Sequence, residues 1–415
     1  MKTESEIIVI GAGIVGLSSA YYLAKAGHSV IVLEKTDGSD ACSYGNAGLI
    51  APSHFVPMAS PGIMAKGLKW MLNPESPFFV KPRLSMPLVK WGWQFMQHAT
   101  QKHVNETKKL LADLSIISLE LHQEFADEKK VRLENKGILM HCLTESCLKH
   151  EIEIANMATD LGISTKILNL DELNEIDPAI THKGAGAVLF PGDSYMEPTA
   201  FMESMKKALA ELDVEINYNQ EVIGFDKNNS QISKIRTSDA VYEADEVVLA
   251  TGSYTAPLLR MVGEKMLLEA GKGYSVDWHE SPVMPDLAYI LLEARVAITP
   301  MNNFVRLAGT MELGGINLKI NPRRVAGFLK SIADYLPEFE YEKVKSLPVW
   351  AGLRPCSPDG LPYVGKDSKF KNLTIAAGHS MLGFTLGPVT GKLVAEIVNG
   401  EQTSLNIDQL AVDRY

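Results

Sequence analysis

Residues 7–35 read IIVIGAGIVGLSSAYYLAKAGHSVIVLEK, and the order within them is strand, glycine turn, helix, strand. Four apolar residues, Ile7–Ile10, end at a glycine, as expected of a strand buried on both faces of a parallel sheet. Gly11, Gly13 and Gly16 are followed by Ala20, Leu23, Gly27, Val30, Val32 and Glu34, the full spacing of a dinucleotide-binding βαβ unit. Gly11 makes the tight turn, Gly13 admits a pyrophosphate to the backbone, and Gly16 lets helix and strand pack closely. The N–H groups at Ile14, Val15 and Gly16 then face the phosphates at the positive end of the helix dipole. Glu34 closes the second strand, where it can accept from ribose hydroxyls and would repel a 2′-phosphate, which disfavours NADP. Lys35 follows it at the cofactor edge. This unit alone does not separate NAD from FAD.

Working outward, the 415 residues suffice for two or three domains and a large core. With 46% hydrophobic and 22% charged residues the composition is that of a soluble globular protein. The net charge of −10 and the lack of a basic run argue against nucleic acid as a partner. Residues 7–24 carry no charge, but their glycines and serines suit a nucleotide turn better than a membrane span or a signal peptide. Four cysteines without a C-x-x-C pair suggest a reducing compartment. No H-x-x-x-H or other metal cluster and no G-x-S-x-G elbow appears, so neither metal nor hydrolase chemistry is indicated.

Further buried-strand patterns at Val247–Leu249, ending in Ala250-Thr251-Gly252, and at Leu373–Ala377, ending in Gly378-His379, place nucleotide-type units in the middle and near the end of the chain. The expected fold is α/β, a discontinuous dinucleotide-binding Rossmann-like domain (residues 1–55, 195–258 and 346–415) plus a substrate domain with a mixed sheet and helices (56–194 and 259–345). Residues 52–92, rich in proline, read as an irregular excursion, and Leu110, Leu114, Ile117 and Leu121 mark a long amphipathic helix. The last helix is expected near residues 388–398, after a proline.

Three further stretches separate FAD from NAD: CSYGNAGLI (42–50), VWAGLRPCSPDGLPYVG (349–365) and AAGHSMLGFTLGPVTG (376–391). Together with the βαβ unit they resemble the D-amino-acid oxidase-like superfamily of FAD enzymes, most closely its bacterial D-amino-acid dehydrogenase branch of the small-subunit type. The resemblance implies FAD, bound non-covalently, since the surroundings of Cys356 do not match the cysteine attachment of some relatives. It implies that Ser43, Asn46, Ala47, Gly48, Leu49 and Ile50 line the pyrophosphate and flavin, Val222 the adenine, and Ala250, Thr251 and Gly252 a second dinucleotide turn. Gly352 joins the cofactor set, and Gly378, His379, Ser380, Met381, Leu382 and Gly383 present a helix N-terminus to the flavin's pyrimidine edge. There, free N–H groups can stabilise negative charge that develops on reduction.

Arg354, in L-R-P, occupies the position of the family's carboxylate-gripping arginine, and a guanidinium fork suits a carboxylate. His54, Tyr195, Tyr274, Arg306 and Met381 are further substrate-pocket candidates, the last leaving the pocket apolar where relatives are polar. The implied reaction is hydride transfer from Cα of a D-amino acid or cyclic D-imino acid, such as D-proline or a hydroxyproline, to flavin N5. No catalytic side chain beyond the flavin is assigned, because hydride transfer needs only a neutral amine held in line. An oxygen-using oxidase of glycine or sarcosine type and a non-catalytic flavin-binding subunit remain alternatives. The branch implies a quinone as electron acceptor. Lysines 66, 69, 81 and 90 interleaved with Met64, Leu68, Trp70, Met71, Phe78, Phe79, Trp91 and Trp93 suggest peripheral contact at the inner face of the membrane by a cytoplasmic protein.

Overall fold

Parallel pairing of Glu4–Ile10 with both Val30–Leu33 and Val241–Leu249 builds the centre of the first sheet. The computed structural model describes residues 3–415 apart from 72, 74, 84 and 283, and the side chains of residues 64, 66, 68 and 69 also lie outside the described residues. Pro74 of the proline-rich stretch, and the Met64, Lys66, Leu68 and Lys69 side chains of the expected membrane patch, are therefore not described. Glu215–Asn217 and Leu373–Ala377 extend the parallel core of this sheet on either side. Its central strands are apolar throughout because helices cover the face carrying Ile7, Val9, Val30 and Val32 while a second core fills the other.

The helix Gly383–Val398 lies against Ile14–Lys25 at backbone distance. A Cβ at Gly391 would come 2.4 Å from the Ser18 carbonyl carbon, and one at Gly387 2.7 Å from Ile14 Cγ1. This helix starts five residues before the expected proline, and Pro388 lies inside it. Proline does favour helix starts, but here it merely leaves the Phe384 carbonyl without its usual donor, a local cost that buried packing overrides.

The second sheet runs, strand by strand, Val349–Cys356, Glu269–Trp278, Val305–Leu313, Val296–Pro300, Ala288–Leu291, Ile138–Cys142, Gly186–Phe190 and Lys166–Leu168, with Phe78–Val80 beside Val305–Leu313. The expected boundaries shift here: Val349–Cys356 was grouped with the nucleotide-binding pieces, but it pairs with Glu269–Trp278. The strand carrying Arg354 thus belongs to the second sheet. A small third sheet pairs Leu49–Ile50 with Ser194–Met196 and so joins the first glycine-rich region to the middle of the chain.

The expected long helix is Gln101–Lys129, N-capped by Thr100, whose hydroxyl accepts from His103 N–H. The stretch read as irregular contains two helices, Ile63–Met71 and Met86–His98. Ser85 caps the second of these, accepting from Leu88 N–H with Pro87 in its first turn, so a proline of the stretch expected to be irregular starts a helix.

Candidate functional site

The three glycines of the first turn differ in what confines them. Gly11 has φ +105°, and a Cβ there would lie 2.6 Å from the Ala250 carbonyl oxygen; one at Gly16 would lie 1.8 Å from the Gly11 oxygen. Backbone packing alone demands these two glycines. A Cβ at Gly13 would touch only Ser43 Oγ, at 3.5 Å, so the protein itself leaves room for a side chain. A gap of this kind at a helix start, with no acidic residue in the first turn, is what an anionic ligand needs. Ser43 Oγ accepts from Ile14 N–H (2.9 Å), and the buried Glu34 accepts from Ala12 N–H (2.8 Å) and Thr36 N–H (3.2 Å). Glu34 thereby fixes the turn while keeping lone pairs for further donors. Val222 is buried at the head of its strand, and Gln220 N–H donates to the Glu34 carbonyl (2.8 Å), which brings that edge beside the second strand's end. Ala250 N–H donates to Ile10 O (2.9 Å), and Thr251 and Gly252 continue into the next turn, with Gly252 at φ +54°. Lys35 is held by an aromatic face, its ammonium 3.6 Å from the centre of the Tyr254 ring.

The loop 42–50 is tied down by its carbonyls. Arg306 Nη1 donates to Tyr44 O (2.8 Å) and Asn46 O (3.0 Å), Ser275 Oγ to Gly45 O (2.9 Å), and Thr299 Oγ1 to Ala47 O (2.8 Å). Thr385, from the helix Gly383–Val398, takes Leu49 O (3.0 Å). Asn46 folds the loop on itself, donating to Ser43 O (2.7 Å) and accepting from Gly48 N–H (2.8 Å). Gly48 has φ +70°, and a Cβ there would meet the Met196 oxygen at 2.1 Å. Ile50 is fully buried.

This arrangement corrects the expectation for Arg306. Its Nε and Nη2 form a two-point pair with Asp277 (2.7 Å each) and its Nη1 is spent on the loop, so it clamps the loop and is not free to grip a substrate. Gly352 is likewise reassigned: a Cβ there would fall 2.0 Å from the Trp350 indole, which also packs on Gly45. Both glycines make room for Trp350. Tyr274 points to the opposite face of the second sheet, packs with Val276, Trp278 and Phe328, and accepts from Asn321 N–H (3.1 Å). Tyr195 is also core, its hydroxyl donating to Asp286 O (3.3 Å). Both tyrosines are buried.

Arg354 behaves differently. Its guanidinium lies over Gly273, where a Cβ would come 2.1 Å from Nη1, and Nη1 donates to Thr310 O (2.8 Å). Burial works against its charge, and the ionisable groups that bear on it are the thiols of Cys356 and Cys42, not a carboxylate. It is only half buried. Thr310 is the extra residue of a bulge, because Lys272 faces Glu312 while Tyr274 faces Gly309. The bulge places Thr310 at φ +69°, unusual for a β-branched residue, with its carbonyl turned to Arg354. Cys42 anchors the flavin-type loop to this strand: its thiol donates to Leu353 O (2.9 Å) and accepts from Leu353 N–H (2.7 Å), and burial raises its pKa to about 11. Thr310 and Cys42 were not singled out from the sequence, since both act through partners far away in the chain.

Gly378 takes φ +78° against the Tyr363 ring, and Ser380 takes φ +50° with its N–H on Pro355 O (2.8 Å). The His379 ring is buried on Thr390 Oγ1 (2.9 Å), and burial lowers its pKa to about 4, so it is a neutral structural group. Leu382 caps the helix that Gly383 begins, without a side-chain acceptor, and Met381 is 56% exposed. His54 is half buried beside Ser53.

An open gap at Gly13, a helix start beside it whose Ile14 N–H alone is taken by Ser43, a second helix start at Gly383 without a side-chain cap and an arginine with no ion pair among the described residues fit a flavin dinucleotide and a carboxylate substrate. The chain belongs to the FAD-dependent oxidoreductase family of the D-amino-acid oxidase type, whose family description, FAD dependent oxidoreductase, matches residues 6–397. It is 31% identical over 407 residues to a D-amino acid dehydrogenase of Helicobacter pylori, covering 98% of this chain and 97% of that protein. Its fold matches glycine oxidase from Geobacillus kaustophilus (TM-score 0.79, 23% identity, all of both chains) and L-proline dehydrogenase from P. horikoshii (TM-score 0.75, 20% identity, 100% and 98% covered).

The glycine geometry yields a paired test. Gly13→Val should purify colourless yet keep the wild-type melting temperature of the FAD-free protein, because only the ligand contests that space. Gly16→Val should lower the melting temperature even without FAD. Equal melting losses in the two FAD-free variants would refute the assignment of the gap to a ligand.

Proposed function

We propose that this FAD-dependent enzyme oxidises a D-amino acid or cyclic D-imino acid and passes the electrons to a quinone. Arg354 carries the reading: a partly enclosed cation with no acid beside it is costly, and a substrate carboxylate offsets that cost. Bound FAD supplies the two-electron acceptor for the hydride equivalent leaving the substrate Cα. Ser43, the Asn46–Ile50 loop and the first glycine turn are the residues that would hold it, and the helix start at Gly383 would face its pyrimidine edge. Arg354 fixes the carboxylate at two points and thereby sets which face of Cα meets the cofactor. A primary imine product would hydrolyse to the oxo acid, whereas a cyclic imine would persist or open. Relatives named D-amino acid dehydrogenase support the D configuration.

The helix Met86–His98 supports a membrane-delivered acceptor. One face buries Trp91 and Phe95, stacked at 5.1 Å. The other exposes Met86 (68%), Val89 (61%), Trp93 (59%) and Met96 (45%) at helical spacing, with Lys90 exposed among them. An apolar stripe edged by an ammonium group suits reversible attachment to an anionic bilayer surface. No helix of the described residues is long and apolar enough to cross a membrane.

Three outcomes test this reading. Arg354→Ala should lower kcat/KM by roughly 30-fold to several thousand-fold, the equivalent of about 2–5 kcal/mol for truncating one partner of a buried charge pair. Arg354→Lys should recover only part. Near-normal kcat/KM in the alanine variant would place the carboxylate elsewhere. Substrate-reduced enzyme should reoxidise far faster with a soluble quinone analogue than with air-saturated buffer, whereas stoichiometric peroxide formed rapidly in air would make it an oxidase. The protein should co-sediment with anionic vesicles, less at high salt, and Trp93→Glu should abolish binding while leaving turnover with a soluble acceptor intact.

A further inference from the structure

The short stretch after the flavin loop contains a chain of polar groups that nothing above uses. Asp193 is fully buried, and both of its carboxylate oxygens accept from Ser53: Oδ1 from the backbone N–H (3.1 Å) and Oδ2 from the hydroxyl (2.5 Å). Ser53 Oγ in turn lies 3.2 Å from His54 Nδ1. Since the hydroxyl gives its one proton to Asp193, it can only accept from His54, which fixes that ring as the Nδ1–H tautomer. Nε2 is then a free lone pair, with no partner among the described residues.

The backbone on either side of this chain of groups runs toward the strands that hold Arg354. Ile50 pairs with Ser194, so Asp193 falls just beyond that ladder, beside the flavin loop. Four residues after His54, Met58 packs in a cluster with Met311 and Cys356, the two side chains nearest to Gly271, which faces Arg354 across the sheet. Arg295 alone among charged groups bears on His54, and it precedes Val296, which faces Gly309 next to the Thr310 that holds Arg354. No charged side chain bears on Asp193.

We propose that His54, Ser53 and Asp193 form a proton relay that takes the proton from the substrate ammonium. The inference rests on the amine-oxidising function proposed above. The ammonium N–H bond breaks and its proton joins His54 Nε2. The Nδ1 proton passes to Ser53 Oγ, and the Ser53 proton passes to Asp193 Oδ2. The substrate is left as the neutral amine that hydride departure requires, the imidazole is neutral again as its other tautomer, and one carboxylate has become a carboxylic acid, so charge and protons balance. Two equilibria favour this division of labour. Burial and Arg295 lower the His54 pKa to about 4, which keeps the imidazole from storing the proton, and burial raises the Asp193 pKa to about 7, near the value suited to a base at neutral pH.

The test follows bleaching of the FAD-loaded protein by D-proline and D-alanine without oxygen, across about pH 5 to 10. Wild type should show a limiting rate that rises through about pH 7, as Asp193 ionises. Asp193→Asn and Ser53→Ala should lose that limb, fall roughly 100-fold at neutral pH and gain rate only as the substrate ammonium itself loses its proton to solvent. Ser53→Thr, which restores a hydroxyl, should recover the limb. Without substrate, infrared spectra of the holoprotein should show two protonated carboxyls that titrate near pH 7, because burial raises the pKa of Glu151 as well to about 7, and the difference between wild type and Asp193→Asn should contain one of them. If that variant does not fold, Ser53→Ala still decides, because it keeps the carboxylate and the Ser53 N–H bond. A limb near pH 7 that survives in Ser53→Ala, or the absence of that infrared difference, overturns the relay alone. A wild-type flavin that no amino acid bleaches overturns the proposed function and the relay with it.

Discussion

The clamp on the loop 42–50 decides whether the two sheets form one site. Four consecutive carbonyls, from Tyr44 to Ala47, accept from side chains of the second sheet, and Arg306 supplies two of these bonds while Asp277 balances its charge. A buried guanidinium is tolerable here because one carboxylate neutralises it and its planar fork places the remaining donors on fixed acceptors. A lysine could meet neither demand. The consequence is mechanical: the loop whose other residues reach the helix start at Ile14 is held in register with the strands that support Arg354. Cys42 adds a second tie at Leu353, one residue from that arginine.

With the frame fixed, Arg354 can carry a charge that the protein leaves uncompensated. Such a group destabilises the ligand-free fold, and the neighbourhood shows a similar tolerance of cost. Thr310 and Ser380 both adopt left-handed backbone conformations, and the Thr310 hydroxyl is buried without a partner among the described residues while that of Ser380 lies against the Cys356 thiol. Strained residues of this kind cost of order 1–3 kcal/mol each and persist where surrounding structure over-determines them. Thr310 is such a case, since the bulge turns its carbonyl toward Arg354 Nη1 and so helps to hold the guanidinium over Gly273.

What the sequence made legible follows from how local each feature is. The nucleotide turn was readable because Gly16 and Glu34 act on neighbours within one βαβ unit and Gly11 donates within it to Leu33 O, although the contact that confines Gly11, with Ala250, is distant in the chain. Arg354 was readable through its motif. The tyrosines and Arg306 were not, and the reason is physical. The strand Glu269–Trp278 is buried along nearly its whole length on both faces, so hydrophobic alternation cannot tell which side Tyr274 takes. Arg306 looked like a binding residue because its partners, the loop carbonyls and Asp277, are 29 or more residues away. The helix Met86–His98 was hidden by its prolines, although Ser85 and Pro87 are the start signals for it. Asp193 and Ser53, 140 residues apart, had no sequence signal beyond their residue types.

The electrostatics of the two guanidinium groups bear on which form of the substrate the site accepts. On the proposed function an amino acid arrives as a zwitterion, so Arg354 would attract its carboxylate, while Arg295, which disfavours protonation of His54 and is partly balanced by Glu151, would oppose its ammonium. Two like charges about 4 Å apart repel by about 4 kcal/mol at an effective dielectric constant of about 20, falling inversely with distance. Even a fraction of that energy lowers the ammonium pKa by more than one unit, at about 1.4 kcal/mol per unit. The positive field of Arg295 would thus push the amine toward its neutral form, and a neutral imidazole is a better neighbour for that amine than a third cation would be. On that reading the two arginines divide the work: Arg354 would hold the carboxylate, and the field of Arg295 would favour loss of the ammonium proton.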